Sequence, residues 1–381
     1  MNSQNQSSAT TTSKSTSSPI EVLAYYFPQW HVDPRNDVTH HPGWTEWELL
    51  RAAKPRFPGH RQPITPAWGE FDESDPTWAA REIDLAADHG ITGFLFDWYW
   101  DAQGPFLQHA LERGFLRAAN RSRLKFALMW ANHWPATATD FEELTNHAIE
   151  HCFNEPNYFM VDGAPYFSIY EMDSLIEGLG GLEAARAALE SFRRRAQAAG
   201  FPDVHLNAVA WGLVAHNGGF DDPNHIIETL GISSIDSYVW AHHCNIEHCA
   251  FPQESYERVA TRNFEVWDEL SRRLSVPFHP QVTKGWDPSP RTDQNVPYLR
   301  GEYPWTTTFE GNTPAAFEVA LRRAKGFLQP LPEAHKIVTI YAWNEWSEGG
   351  YLLPDTVEGT AHLEAIRNVF GGANTASKSE V

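Results

Sequence analysis

The feature that most constrains this chain is a regular alternation of short apolar segments with longer amphipathic ones. Eight short runs, rich in β-branched and aromatic residues, have the length and composition of buried strands. These runs are residues 21–27, 92–100, 125–132, 165–170, 204–211, 234–240, 278–286 and 336–343. Helix-like segments lie near residues 76–89, 104–120, 140–153, 182–199, 223–230, 254–275, 313–328 and 360–370.

This alternation implies parallel strands joined by right-handed crossovers, and eight repeats allow the sheet to close on itself. The predicted fold is therefore of the α/β class, a (β/α)8 TIM barrel. An open doubly wound sheet is the competing architecture, and it would carry a Gly-rich turn after its first strand. The first strand instead runs into Phe27-Pro28-Gln29-Trp30, and the chain has no GxGxxG, GxxxxGK[ST] or Gly-x-Ser-x-Gly motif. The sequence thus argues against nucleotide-dependent and serine-hydrolase chemistry.

The length of 381 residues suits one domain of eight βα units with long βα loops. We place this catalytic domain at residues 19–371. Residues 1–18 are rich in Ser, Thr, Asn and Gln and lack an apolar core, so they are predicted to be a disordered tail rather than a signal peptide. Residues 372–381 are expected to be a flexible C-terminal tail. No run of 18 or more apolar residues suggests a membrane span, and a cytoplasmic location is the expectation.

The charge balance restricts the class of partner. The chain has 49 acidic and 29 basic side chains and a formal net charge of -20, so phosphate backbones and anionic lipids would repel it. We therefore expect no nucleic acid and no membrane partner. A neutral glycan carries no such penalty, and 16 Trp, 12 Tyr and 22 Phe offer apolar faces for sugar rings, although most of them will fill the barrel wall. The sequence leaves the oligomeric state open.

A His- and Cys-rich segment at residues 242–249 (HHCNIEHC) invites a zinc interpretation, because thiolates and imidazoles are zinc ligands. Cys244 and Cys249 are five residues apart, however, and no second Cys/His pair stands at zinc-finger distance. We therefore expect no metal and no cofactor, and favour histidines that contact sugar hydroxyls, or structural cysteines. With Cys152 the chain has three cysteines, an odd number that makes no disulfide framework and suits a reducing compartment.

Active sites of (β/α)8 barrels lie at the C-terminal ends of the strands. The candidate substrate-binding residues that follow from this rule are Tyr25, Tyr26, Gln29, Asp97, Trp100, Asn132, His133, Tyr170, Trp211, Tyr238, Trp240, His242, Trp286, Asp287, Trp343, Asn344 and Trp346. The long connection at residues 28–75 leaves from the same face and is expected to wall the site, which adds Trp44 and Glu46. Asp97 has a second interpretation, as a buried carboxylate that caps a neighbouring loop.

Glu345 and Glu348 are the candidate catalytic pair. They would point to opposite faces of an extended strand, whereas a helical turn would bring them to one face. Gly349-Gly350 permits such a turn. Trp343 and Trp346 would supply a dry wall that raises the pKa of one carboxyl, and the neighbouring charge would raise it further. Paired carboxylates with aromatic walls are the usual equipment for glycoside cleavage; the alternative is a pair of solvated loop carboxylates.

Five segments, in order along the chain, resemble the WbsX-like group, which is related to glycoside hydrolase family 99. They are residues 24–31 (AYYFPQWH), 43–47 (GWTEW), 55–63 (PRFPGHRQP), 285–291 (GWDPSPR) and 343–349 (WNEWSEG). The resemblance implies a (β/α)8 barrel that acts on glycans as a retaining glycoside hydrolase without a metal. It implies that Glu345 deprotonates the substrate 2-hydroxyl to give a 1,2-anhydro sugar. Glu348 would then be the general acid and later the base, with Tyr26 near the reacting sugar.

The chain departs from the pattern of that group at two places. Relatives commonly read Trp-Ala-Asn-Glu-Asn-Trp after strand three, where residues 130–134 are WANHW and a carboxylate is lost. They usually read Leu-Glu-Pro-Asp where residues 352–355 are LLPD. We therefore do not carry over a mannose preference. The alternatives to a hydrolase are a glycosyltransferase of surface polysaccharide biosynthesis, for which no Asp-x-Asp motif is visible, and a barrel that only binds glycan.

Overall fold

The computed structural model describes residues 20–215, 219–244 and 248–371. The tails predicted at residues 1–18 and 372–381 lie outside the described residues. None of the helices in the described ranges combines the length and the apolar character needed to cross a membrane.

Eight parallel strands form the barrel wall, and each overlaps a predicted strand. Labelled in chain order, they are β1 (Glu21–Tyr26), β2 (Gly93–Asp101), β3 (Lys125–Trp130), β4 (Ala164–Ile169), β5 (His205–Val209), β6 (Ser234–Asp236), β7 (Gln281–Thr283) and β8 (Ile337–Tyr341). Their order in the sheet is β7-β8-β1-β2-β3-β4-β5-β6. The predicted (β/α)8 barrel is therefore confirmed.

The barrel closes between β6 and β7. Ile235 of β6 forms a parallel bridge with Phe278, just before β7. The Ile235 amide donates to the Pro277 carbonyl at 3.0 Å, and the His279 amide donates to the Ile235 carbonyl at 2.8 Å. Along each strand, side chains alternate between the barrel interior and the surrounding helices. This alternation decides which residues at a strand end can face a site at the barrel mouth.

Ten α-helices accompany the strands in the described part of the chain. They are Pro34–Thr39, Trp47–Ala52, Pro76–Asp88, Ala138–His151, Met172–Gly178, Leu182–Ala198, Pro223–Leu230, Tyr256–Arg273, Pro314–Phe327 and Ala361–Phe370. Four of them start with a side-chain cap followed by proline, at Asp33, Asp75, Asp222 and Thr313. The Asp75 carboxylate accepts the Thr77 amide at 2.8 Å, and the Thr313 hydroxyl accepts the Ala316 amide at 3.3 Å. Such caps satisfy amides that have no partner within the helix.

The segment at residues 104–120, predicted to be helical, is broken into three pieces. Gly104–Phe106 is a short strand antiparallel to the end of β2, and a π-helical turn at Ala110–Gly114 and a 3-10 turn at Phe115–Arg117 follow. Leu107 has a φ of 55°, a left-handed conformation that a continuous α-helix excludes. A Cβ at Gly114 would lie 2.1 Å from the Glu73 carbonyl oxygen. Close packing against this loop therefore overrides the local helical pattern.

Further short strands lie in the loops. Met160–Val161 pairs antiparallel with β4, Gln253–Ser255 pairs parallel with Thr308–Glu310, and Asn344–Glu345 pairs antiparallel with Gly350–Tyr351. The last pair follows directly after β8 at the C-terminal mouth of the barrel.

Alanine substitutions at two glycines compare the tightly packed barrel wall with an exposed helix surface. A Cβ at Gly93 of β2 would lie 2.9 Å from both the Lys125 carbonyl oxygen and the Leu23 Cδ2, so Gly93→Ala should lower the melting temperature by overpacking, at a cost of about 1–3 kcal/mol. Gly326 is exposed in a helix and has open space around its Cβ position. Gly326→Ala should raise stability by about 0.5–1 kcal/mol. Thermal unfolding followed by circular dichroism measures both changes in melting temperature. Equal changes in the two variants would contradict the difference in packing between the two sites.

Candidate active site

A cavity of about 520 Å³ opens at the C-terminal mouth of the barrel. Among the predicted site residues, those that line it are His133, Tyr170, Trp211, Tyr238, His242, Trp286, Glu345 and Glu348. They come from the ends of six strands, since each strand end brings its own loop to the same face. The two candidate catalytic carboxylates therefore share one cavity with six of the predicted binding residues.

A tight turn after β8 brings Glu345 and Glu348 to this cavity. Asn344–Glu345 pairs with Gly350–Tyr351, and a 3-10 turn at Trp346–Glu348 lies between them. Gly349 ends the turn with a φ of 72°, in the left-handed region that glycine adopts without steric cost. A Cβ at Gly350 would lie 2.2 Å from Cε1 of Tyr341. The predicted turn is present, and the two glycines serve its geometry and its close packing.

Arg291 joins the two carboxylates. Its Nη2 donates to Glu345 Oε1 at 2.7 Å, and its Nη1 donates to Glu348 Oε1. The Arg291 Nε donates to Glu46 Oε1 at 3.0 Å, and Ser347 Oγ also donates to that oxygen, at 2.7 Å. Glu46, predicted to bind substrate, thus holds the guanidinium from the long loop after β1. The guanidinium geometry matches such planar multiple contacts.

Two tyrosines add hydrogen bonds to Glu348. The Tyr303 hydroxyl donates to Oε1 at 2.5 Å, and the Tyr341 hydroxyl donates to Oε2. With Arg291, these hydroxyls bring the number of donors to the Glu348 carboxylate to three. Sequence reasoning missed all three donors. Arg291 ends the 285–291 segment of the family resemblance, so a charged residue in a Trp- and Pro-rich loop could have indicated it. Tyr341 lies inside a strand, and no sequence feature indicates its role.

Burial shifts the pKa values of two carboxyl groups at the cavity. Burial raises the pKa of Glu345 well above its usual value, the Arg291 charge opposes this shift, and the charges of Glu348, Asp97 and Glu46 add to it. Burial also raises the pKa of Asp97, and its hydrogen bond from the Tyr238 hydroxyl, at 2.7 Å, partly offsets the shift. Asp97 thus lies behind Tyr238, as a buried carboxyl that holds a residue of the cavity wall.

Aromatic rings form the wall opposite the carboxylate pair. The rings of Trp211 and His242 stack with centroids 4.2 Å apart, and the Tyr170 hydroxyl lies 3.4 Å from His242 Nε2. Tyr170 also meets Tyr238 edge to face at 5.3 Å. Flat apolar faces beside a few polar groups are typical of small-molecule sites and suit the face of a sugar ring.

Glu171, which follows Tyr170 at the end of β4, also lines the cavity. Asn132 holds its backbone on both sides, since the Asn132 Nδ2 donates to the Glu171 carbonyl at 2.7 Å and its Oδ1 accepts the Glu171 amide at 2.8 Å. The Glu171 carboxylate lies 3.8 Å from His133 Nδ1. Asn132 therefore acts through Glu171 rather than at the cavity surface.

Three predicted residues contact buried carboxyl groups, Tyr25 inside the barrel and Tyr26 with Trp343 between the barrel and the helix Pro76–Asp88. The Tyr25 hydroxyl donates to Asp236 Oδ2 at 2.5 Å, and the Tyr26 hydroxyl donates to Glu82 Oε2 at 3.0 Å. Trp343 Nε1 donates to the other oxygen of Glu82 at 3.2 Å. Because these side chains satisfy buried carboxyl groups, none of them lines the cavity. The expected positions of Tyr26 beside the reacting sugar and of Trp343 as a dry wall are therefore not those that the structure shows.

Three further predicted residues hold the loops of the site. Asn344 accepts the Phe27 amide at 2.7 Å and donates to the Phe27 carbonyl at 2.8 Å. The Asp287 carboxylate lies 2.9 Å from His60 Nε2, and Trp346 stacks on Tyr351 at 4.0 Å instead of facing the cavity. These contacts join the loops after β1, β7 and β8.

The remaining predicted residues lie outside the cavity. Trp240 is buried and donates to the Gln281 carbonyl at 2.8 Å, Trp44 stacks on His40 at 3.9 Å, and Gln29 Oε1 accepts the Asn36 amide at 3.3 Å.

Trp100 faces away from the cavity, toward His147 of the helix Ala138–His151, with ring centroids 5.4 Å apart. Tyr99, one residue earlier, lines the cavity instead. The alternation of side chains along β2 sends these two neighbours to opposite sides.

The described residues contain no group of three or more His, Cys, Asp or Glu side chains arranged to hold a metal ion. The segment 242–249 lies partly outside the described residues, at 245–247. Within its described part, His242 lines the cavity, and His243 Nε2 lies 2.8 Å from the Ser237 hydroxyl.

Comparisons with known proteins place this geometry in context. A family model described as "Glycosyltransferase WbsX" matches residues 22–366. The "uncharacterized protein WxcX" of Xanthomonas campestris pv. campestris is 27% identical over 92% of this chain and 50% of its own length. The chain thus spans about half the length of the curated relatives it matches.

Solved structures show the same barrel. The GH99 endo-alpha-mannosidase from Bacteroides thetaiotaomicron, in complex with BIS-TRIS-Propane, aligns with a TM-score of 0.59 at 13% identity, over 91% of this chain and 95% of that chain. A "glycoside hydrolase-like protein" aligns with a TM-score of 0.58 at 14% identity, over 93% and 94% of the two chains. At these identities the likeness establishes the fold.

The buried charge cluster makes a prediction for stability. Arg291→Met would leave three buried carboxylates without their cation and should cost about 3 kcal/mol at pH 8. Without Arg291, the pKa of Glu345 would rise further above its unfolded value. A carboxyl with a raised folded-state pKa loses stability as pH rises between the two values, so the deficit should shrink toward pH 5.

Urea unfolding of wild type and variant at pH 5 and pH 8 measures this deficit. Arg322→Met is the control, because Arg322 pairs with Glu318 on an exposed helix surface, and such pairs contribute about 0–1 kcal/mol. A deficit in Arg291→Met that does not depend on pH would contradict the role of the guanidinium.

Proposed function

The chain belongs to the family described as glycosyltransferase WbsX, and from this premise we propose that it is a glycan-acting enzyme, a retaining glycoside hydrolase with Glu345 and Glu348 as its catalytic pair. The observation that supports this proposal most is that one guanidinium, on Arg291, contacts both carboxylates at an aromatic cavity. A shared cation keeps the two carboxyl groups near each other. Retaining enzymes hold them about 5–5.5 Å apart, whereas inverting enzymes leave room for a water molecule between the carboxylate and the sugar.

The proposed first step forms a 1,2-anhydro sugar. Glu345 takes the proton of the substrate 2-hydroxyl as that oxygen attacks C1, and the bond from C1 to the leaving oxygen breaks. Glu348 gives its proton to the leaving oxygen. In the second step Glu348 takes a proton from water, the water oxygen attacks C1, the bond between C1 and the 2-oxygen breaks, and the 2-oxygen regains its proton from Glu345. Two displacements at C1 retain the anomeric configuration. Burial favours Glu345 as the base, because it raises the pKa of this carboxyl.

The acid role of Glu348 requires a proton on a carboxyl that three donors surround. Tyr303 is the donor that a substrate can displace, since it lies on the loop after β7 with 51% of its surface exposed. Its departure frees a hydrogen-bonding position on Glu348 Oε1 for the leaving oxygen of the substrate. Tyr341 is buried and remains to orient the carboxyl.

The substrate class in this proposal is a neutral glycan. The stacked Trp211 and His242 rings would take one face of a sugar, and Glu171 beside His133 would accept hydroxyl hydrogen bonds. His133 stands in the segment where relatives have a carboxylate. Glu171, from the end of β4, supplies a carboxylate to the same part of the cavity wall. We therefore expect recognition of a sugar other than the one that the relatives prefer.

Hydrolysis of a panel of aryl glycosides and surface-polysaccharide oligosaccharides tests the proposal. Glu345→Gln and Glu348→Gln should each lower kcat by about 10³-fold or more, because general acid–base catalysis of this kind contributes about 10²–10⁴-fold and the pair acts as a unit. NMR of the product anomer should show retention in the wild type. Glu318→Gln, on an outer helix, is the matched control with wild-type rates. Inversion would overturn the retaining mechanism, and rates in both site variants equal to the wild type would overturn the hydrolase.

The family description supports a second candidate, a glycosyltransferase that moves a sugar onto a hydroxyl acceptor. Such an enzyme would bind an activated sugar donor. Isothermal titration calorimetry with a set of nucleotide sugars distinguishes the two candidates, because we expect no heat of binding for the hydrolase. Binding that Arg291→Met abolishes and Arg322→Met leaves intact would instead place a diphosphate donor in this cavity and favour the transferase.

A further inference from the structure

Two free cysteines meet beside the cavity wall. Cys244 follows the turn Trp240–His243 and lines the cavity. Its thiol hydrogen-bonds with the thiol of Cys249. Neither residue forms a disulfide in this structure. Cys249 is itself buried, but it lies between His248 and Ala250, both exposed. Cys244 can therefore be reached from the cavity, whereas Cys249 is buried between two exposed residues.

The helix Tyr256–Arg273 supplies a donor to each sulfur. Arg262 Nη1 donates to Cys249 Sγ at 3.4 Å, and Asn263 Nδ2 donates to Cys244 Sγ at 3.6 Å. The Cys244 thiol and, after it, Arg262 lower the pKa of Cys249 to about 6, against the effect of burial. The same thiol contact, with burial, raises the pKa of Cys244. The Cys249 sulfur is therefore the more acidic of the two and the Cys244 sulfur the more readily protonated, which is the combination of a reactive and a resolving cysteine.

We propose that Cys244 and Cys249 are an oxidation site, which hydrogen peroxide converts reversibly into an intramolecular disulfide. The Cys249 thiolate attacks one peroxide oxygen, the O–O bond breaks and hydroxide leaves, so that Cys249 becomes a sulfenic acid. The Cys244 sulfur then attacks the Cys249 sulfur and loses its proton to the departing hydroxide as water. In total, two thiols and one hydrogen peroxide give one disulfide and two waters, and a dithiol such as dithiothreitol reverses the reaction.

The site is separate from the Glu345–Glu348 pair, so it does not depend on the proposed hydrolase. It is linked to the cavity through the chain, because Cys244 is two residues after His242, whose ring stacks on Trp211. A disulfide would tie the end of this turn to Cys249. The redox state of the pair therefore acts on the aromatic wall rather than on the carboxylates.

The first test uses the reduced full chain and needs no substrate. After limited hydrogen peroxide, we expect the intact mass to fall by two hydrogen atoms and two of the three thiols to become protected from iodoacetamide. The loss of two hydrogens should map to the single tryptic peptide 196–258, which contains both Cys244 and Cys249. Cys152 is the internal control, because burial raises its pKa to about 12, and it should remain reduced. Dithiothreitol should restore all three thiols.

Two variants separate the mechanism from general oxidation. Cys249→Ser should form no disulfide at Cys244 and keep its circular dichroism spectrum. Arg262→Met should slow wild-type disulfide formation by roughly threefold to tenfold at pH 7, since it loses the guanidinium beside the thiolate. Arg258→Met, an exposed position on the same helix, should oxidise at the wild-type rate. Loss of all three thiols at equal rates, disulfide-linked dimers, or full retention of thiols in the wild type would each overturn the proposal.

Discussion

The burial of one guanidinium with three carboxylates is the constraint on which the rest of this site depends. Arg291 contacts Glu46, Glu345 and Glu348 in a region where none of the three carboxylates is more than 8% exposed. Unpaired charges in such a region would cost several kcal/mol each. The loops after β1, β7 and β8 must therefore meet within hydrogen-bonding distance. Burial, together with the excess of carboxylate over cation, explains why Glu345 keeps a raised pKa despite its contact with Arg291.

Many residues near the mouth of the barrel hold these loops together and do not face the cavity. Asn344 brackets Phe27, Asp287 accepts from the Gln62 amide at 2.7 Å, and Tyr26 with Trp343 satisfies the buried Glu82. A polar side chain that is hydrogen-bonded to a buried partner is directed away from a sugar hydroxyl in the cavity. The site thus consists of an inner layer that faces the cavity and a supporting layer that fixes its position.

The family description names a transferase, whereas the solved structures with this fold include a glycosidase. A shared barrel does not decide between them, because one fold carries many reactions. Both reactions exchange a substituent at an anomeric carbon, and they differ in whether water or a hydroxyl group is the acceptor. The carboxylate pair in the cavity suits proton transfer to and from either acceptor. The donor that the cavity accepts is therefore the property that separates the two functions.

The sequence by itself determined the barrel, the position of the Glu345–Glu348 turn and eight residues of the cavity wall, because strand periodicity, turn glycines and the strand-end rule are local properties. It did not determine which polar residues are free for a ligand. The strand-end rule selects Trp100 as a cavity residue, whereas its neighbour Tyr99 lines the cavity because neighbours on β2 face opposite sides. Tyr25 and Tyr26 are hydrogen-bonded to carboxyl groups 211 and 56 residues away in the chain. Only the tertiary structure brought Arg291, Tyr303 and Tyr341 to the carboxylate pair. Contacts between distant loops are set by packing and charge pairing in three dimensions, and no local pattern encodes them.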